Sequence, residues 1–138
     1  MRKFIESMRK AGLVTDINEP VSTDMEAAKM AAGTDRLLFF KNCDGHPVVM
    51  NLTANRASLA RALTIDEKKI VPQLADAQYN GKIVDDGKLA TGKVDLTKLP
   101  ILHHFPKDAG KYLTSGIVFS KYDGVENASI HRMQVLDD

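Results

Sequence analysis

A chain of 138 residues, 43% apolar and 27% charged, has room for one domain with a real core, or for one domain and the start of another. Its 19 basic and 18 acidic residues nearly cancel, which argues against a nucleic-acid-coating surface with its marked basic excess. The single cysteine, Cys43, excludes an intrachain disulfide framework and a cysteine-based zinc site, and no apolar run approaches membrane-spanning length.

The opening MRKFIESMRKAG is charged throughout and has no apolar stretch of the kind a secretory signal needs, so a cytoplasmic location is expected. In such a setting Asn51-Leu52-Thr53 and Asn127-Ala128-Ser129 match the glycosylation sequon by chance. Phe4, Ile5, Met8 and Ala11 recur at helical spacing, and Gly12 follows as a stop. LVTDI reads as a short strand. STDMEAAKMAAG reads as a helix opened by a Thr23–Glu26 capping box and closed by Gly33, with Met25, Ala28, Ala31 and Ala32 available to a core. The methionines here are read as packing groups that fill irregular gaps.

RLLFFKN and PVVMNL flank CDGH. Asp-Gly between two β-rich runs predicts a hairpin, with Pro47 at a strand start and His46 solvated in the turn. NRASLARAL predicts a helix capped by Asn55, and Thr64 with Glu67 predicts a second capping box opening IDEKKIV. Pro72 should break or kink the chain beyond it. GKIVDDGKLATGKV predicts a further hairpin around Asp86-Gly87, with Asp85-Asp86 as turn chemistry.

After DLTKLP the character changes. ILHHFPKDAGKYLTS is irregular, and GIVFSKYDGVENASIHRMQV predicts two strands joined at Asp123-Gly124. The organisation expected is an α/β (α+β) domain over residues 1–98, then 99–138 as a linker and the first hairpin of a separate β-structure. A lone hairpin is marginal in water and needs more sheet or another layer.

The familiar nucleotide, hydrolase and metalloprotease motifs are absent. His103-His104 suggests a metal pair, but neighbours on an extended chain point in opposite directions, so one metal would rarely take both. The last strand is more informative. Asn127 offers an amide oxygen suited to a hard divalent cation. Arg132 offers a rigid fork of donors matching a carboxylate or phosphate. Alternation puts Asn127, Ser129, His131 and Met133 on one face, and Ala128, Ile130 and Arg132 on the other. For Asn127 and Arg132 to share a site, the strand needs a bulge or a twist between them. A half-exposed strand with polar residues outward explains the same residues without any chemistry.

Four stretches together resemble the N-terminal part of the UbiD-type decarboxylases, which use prenylated FMN: MRKFIESMRKAGLVTDINEPV, RLLFFKNCDGHPVVMNLTANRASLARAL, LPILHHFPKDAGKYLTSGIVFSKY and NASIHRMQ. The last resembles the family's cofactor motif, Asn-x-x-Ile-x-Arg-Met. The resemblance implies a split β-barrel flavin-binding domain beginning in the last part of the chain. It also implies that Asn127 is a ligand of the metal (Mn²⁺ or Mg²⁺) bridging protein and flavin phosphate. Ile130, His131 and Arg132 would contact prenylated FMN, and Arg132 would sit beside the reacting carboxylate. The implied chemistry is non-oxidative loss of carbon dioxide from an unsaturated or aromatic carboxylic acid. The protein would hold the cofactor, orient the carboxylate and supply a proton.

In that family the remaining metal ligands (a His and a Glu) and the acidic residues lie further along the chain. Asn127 alone is short of the about six oxygens a hard cation wants. The chain is therefore expected to be inactive by itself, as part of a longer polypeptide or of a split enzyme. The complete protein is expected to be a homo-oligomer with a small-molecule acid as substrate and neither nucleic acid nor a membrane as partner. A stand-alone, non-catalytic subunit or scaffold keeping the fold is the competing expectation. A small redox flavin-barrel protein is a third.

Overall fold

The computed structural model describes residues 1–78, 80, 81, 92 and 95–136. The hairpin expected around Asp86-Gly87, with its Asp85-Asp86 turn, lies outside the described residues.

The chain is mixed α/β with two separate sheets. Helix α1 (Arg2–Lys10) buries Ile5 and Met8 and ends at Gly12, whose φ of +69° suits a residue without Cβ. Strand β1 (Val14–Ile17) pairs in parallel with β2 (Leu37–Cys43), and α2 (Glu26–Ala32) makes the crossover between them. Strand β3 (His46–Met50) returns antiparallel to β2 through the Asp44-Gly45 turn. Both turn residues have positive φ, +47° and +87°, as a two-residue hairpin with the sheet's own twist requires. His46 opens β3, paired with Cys43 and half-buried, rather than lying solvated in the turn.

The two faces of β2 divide the core. Leu38, Phe40 and Cys43 pack with Val21 and with Ala27 and Ala31 of α2. Leu37 packs with Ile5 and Met8 of α1, and Phe39 lies against that cluster. Period-2 alternation along β2 thus meets a helix on each side. The α2 stripe is Ala27 and Ala31, while Ala32 is exposed and Met25 only half-buried.

Two expected capping boxes take other forms. Helix α2 starts at Glu26, because residues 21–24 are drawn into extended pairing: Val21 bridges Cys43 and Asp24 bridges His103. Thr23 donates to Asp44 instead of capping, and Glu26 reaches back to the Ser22 N–H. Met25 takes the cap position with φ +62°, a left-handed conformation costing about 1 kcal/mol or more in a residue with a side chain. Its N–H is held by the His103 carbonyl at 2.9 Å. Helix α3 (Arg56–Leu63) is capped as expected, the Asn55 side chain accepting from Ser58 N–H at 2.8 Å. Thr64, however, is the left-handed residue closing α3, and Asp66 caps the short 3₁₀ turn Glu67–Lys69. Pro72 is third in α4 (Ile70–Ala75) and does not break it, since a first-turn N–H has no intrahelical partner to lose.

A second 3₁₀ turn, Leu96–Lys98, precedes a segment laid across the first sheet's domain. Ile101 is buried, Leu102 joins the Phe40 cluster, and the His103 N–H donates to the Thr23 carbonyl. The second sheet is the hairpin of β4 (Tyr112–Tyr122) and β5 (Val125–Gln134) around Asp123-Gly124. Its two strands do not close a barrel among the described residues. Strand β4 begins at Tyr112, four residues earlier than the expected Gly116. No helix among the described residues is long and apolar enough to cross a membrane.

Candidate functional site

The ladder between β4 and β5 fixes where each predicted site residue stands. From Tyr122–Val125 to Gly116–His131 it runs without interruption, pairing Ser120 with Asn127 and Ile117 with Ile130. No bulge separates Asn127 from Arg132 on β5. The register shifts instead on β4 between Leu113 and Gly116, so that Thr114 and Ser115 face Arg132 across the hairpin. Alternation is therefore intact along β5, and Asn127 and Arg132 occupy opposite faces.

On the first face Ser129 Oγ and His131 Nε2 lie 2.7 Å apart, with Asn127 exposed one step beyond. On the second, Ile130 is 74% exposed. The described residues contain no cluster of three or more His, Cys, Asp or Glu able to hold a metal. One amide oxygen is far below a hard cation's needs. The residues present thus do not by themselves fit a divalent metal.

Arg132 is better placed. Its guanidinium stacks over the Tyr112 ring, 4.1 Å from the centroid, and stands 3.9 Å from Asp108 Oδ1. The side chain remains 61% exposed and edges a cleft of about 360 Å³ lined by Leu102, His104, Phe105, Asp108 and Tyr112. Stacking occupies the face of the guanidinium and leaves its in-plane N–H donors for an anion.

The histidine pair separates as extended geometry requires. His103 turns inward, its Nδ1 2.7 Å from Asp24 Oδ1 and its Nε2 buried without a partner among the described residues. His104 turns to the Arg132 cleft. Cys43 is buried against the first sheet; burial first, then the carboxylates of Asp44 and Glu26, push its thiol pKa up, so it packs rather than reacts.

Tyr112 and Asp108 are the site neighbours that sequence reasoning missed. Counting back from the Asp123-Gly124 turn along an unbroken two-residue hairpin sets Tyr112 opposite Val135, three positions from Arg132, and the bulge in β4 brings it opposite Gln134, two positions away. That signal was obscured by the proline- and glycine-bearing stretch in which Tyr112 sits.

Residues 5–78 match the family described as 3-octaprenyl-4-hydroxybenzoate carboxy-lyase N-terminal domain, and residues 75–138 match the corresponding Rift-related domain. The chain belongs to the UbiD family. It is 38% identical over 144 residues to the anhydromevalonate phosphate decarboxylase of Methanosarcina mazei, covering 98% of this chain and 33% of that one. The UbiD-class enzyme HmfF from Pelotomaculum thermopropionicum, in complex with FMN, superposes with a TM-score of 0.80 at 27% identity, covering 99% of this chain and 34% of that chain. An evolved dimeric form of HmfF in complex with prFMN superposes with a TM-score of 0.81 at 27% identity, covering 99% of this chain and 36% of the other. The chain spans about a third of the length of the curated relatives it matches. The UbiD resemblance of the four sequence stretches is thereby borne out.

Proposed function

We propose that this chain is the N-terminal portion of a UbiD-type, non-oxidative decarboxylase that uses prenylated FMN and a divalent metal, Mn²⁺ or Mg²⁺. Residues 1–98 would form its N-terminal α/β domain, and 99–138 the linker and first strands of its split β-barrel. The observation that carries the reading is Arg132: a guanidinium braced on Tyr112, at the rim of a cleft, with its donor edge open. Such a fork binds and orients a carboxylate in two parallel hydrogen bonds. Asn127 would contribute one oxygen toward the metal, and Ile130 and His131, on opposite faces of β5, would contribute contacts toward the flavin. The other metal ligands and the proton donor come, on this reading, from a segment outside these residues.

The similarity to the Methanosarcina mazei enzyme supports a phosphorylated unsaturated acid, anhydromevalonate phosphate, as the first substrate to test. The HmfF complexes support the flavin. The complete protein is proposed to act in the cytoplasm as a homo-oligomer. Within the complete enzyme, Arg132→Ala should abolish carbon dioxide release while leaving the circular dichroism spectrum and melting temperature unchanged. Undiminished turnover in that variant would remove Arg132 from its assigned role.

A further inference from the structure

The Arg132 side chain makes no hydrogen bond among the described residues, yet it is held on two sides. Tyr112 lies under its face at 4.1 Å, and Asp108 Oδ1 stands 3.9 Å away, close enough for charge attraction but too far for a hydrogen bond. The rest of the Asp108 carboxylate is engaged locally, its Oδ2 accepting from Phe105 N–H at 3.3 Å. Tyr112 stands on an anchored backbone. Lys111 Nζ donates to Thr23 Oγ1 at 3.0 Å, the Lys111 carbonyl accepts from Val135 N–H at 2.9 Å, and Gln134 Nε2 donates to the Ala109 carbonyl at 3.1 Å. The register shift in β4 falls between Leu113 and Gly116, just after Tyr112 and opposite Arg132, where a bulge re-aims a side chain.

We propose that Tyr112 is a positioning residue for Arg132, and that Asp108 is a resident counter-ion that a substrate carboxylate displaces from the arginine fork. Stacking fixes the guanidinium plane without using a donor. The long Asp108 contact keeps the cation compensated between turnovers and yields to a ligand able to make two short, charge-assisted hydrogen bonds. The two residues therefore act in opposite directions on carboxylate affinity: the ring favours binding and the carboxylate competes with it. This rests on Arg132 being the carboxylate-binding residue of the proposed decarboxylase.

The test uses the complete polypeptide without flavin, titrated calorimetrically with crotonate, a simple unsaturated monocarboxylate. The same variants, loaded with cofactor, give KM and kcat. Tyr112→Leu should weaken crotonate binding about tenfold, the scale of one cation–π contact, and raise KM more than it lowers kcat. Tyr112→Phe keeps the ring face and should restore binding to within about twofold of wild type, since the cation–π attraction does not need the hydroxyl. Asp108→Asn keeps an acceptor for the Phe105 N–H and should tighten binding about threefold, the modest worth of an exposed ion pair. A general folding defect would weaken binding in every variant, so the opposite signs are diagnostic. Arg132→Ala separates the assignment of the arginine from that of its two neighbours. If wild type binds no carboxylate, or Arg132→Ala binds as well as wild type, the assignment of Arg132 falls and this inference with it. If Arg132→Ala is defective but Tyr112→Leu binds like wild type, or Asp108→Asn binds more weakly, the inference alone is overturned.

Discussion

Asp44 holds the corner of the β2–β3 turn at φ +47° and accepts two hydrogen bonds from Thr23, from its N–H at 2.8 Å and its hydroxyl at 2.6 Å. The Thr23 hydroxyl bond first, and the Thr23 backbone bond next, hold the Asp44 carboxyl below its ordinary pKa of 3.8. A folded-state pKa below the unfolded one stabilises the fold at pH values above the unfolded value, and that contribution is lost as pH falls through the folded value. Asn tolerates the left-handed corner as well as Asp does, so Asp44→Asn isolates the charge. Asp44→Asn should lower the urea midpoint at pH 6 and converge with wild type below pH 3.8; a deficit independent of pH would contradict this account. Thr23 also shows why local motifs mislead. Its spacing to Glu26 is that of a capping box, but its hydroxyl is claimed by Asp44, 21 residues away, and Asp24 is paired with His103, 79 residues away. Asn127 offers a second test at a single residue. On the proposed reading, Asn127→Ala in the complete enzyme should purify with less flavin in the presence of Mn²⁺, and unchanged flavin occupancy would argue against metal ligation.

Local signals succeeded for elements that a cap, a turn dipeptide or periodicity defines without distant help. The Asp44-Gly45 and Asp123-Gly124 hairpins, α1 and its Gly12 stop, and α3 behind Asn55 are of this kind. Asn55→Ala should cost about 1 kcal/mol in chemical denaturation, and Asn55→Ser, which keeps an acceptor for Ser58 N–H, should recover most of it. A neutral Asn55→Ala would mean that α3 is fixed by packing rather than by its cap. Elements set by long-range pairing were less legible. β4 begins at Tyr112 because it pairs with Gln134, not because GKYLTS has a strand pattern. The same holds for the site. Alternation along β5 already placed Asn127 and Arg132 on opposite faces, and the ladder keeps them there. The bulge lies on the partner strand instead, opposite Arg132, and does not turn Asn127 to the Arg132 face. The Tyr112–Arg132 stack joins residues twenty apart, and only the hairpin register brings them together.

At the scale of the whole chain the two sheets differ in completeness. The first has a helix on each side and a buried strand, with Leu37, Leu38 and Phe40 almost fully covered. The second shows Ile117, Phe119 and Ile130 on one face at 61%, 80% and 74% exposure. A two-stranded hairpin of that kind needs further sheet or another layer to be stable in water. This accords with a chain that spans about a third of the length of its UbiD relatives. The most direct measurement is a spectroscopic titration with prenylated FMN and Mn²⁺, run in parallel on this chain and on the complete polypeptide, each followed by assay of carbon dioxide release from anhydromevalonate phosphate. The account predicts no tight flavin binding and no carbon dioxide with this chain, and both with the complete polypeptide. Tight binding by this chain, or a flavin-loaded complete polypeptide that releases no carbon dioxide from this or any aromatic or unsaturated acid, would contradict it.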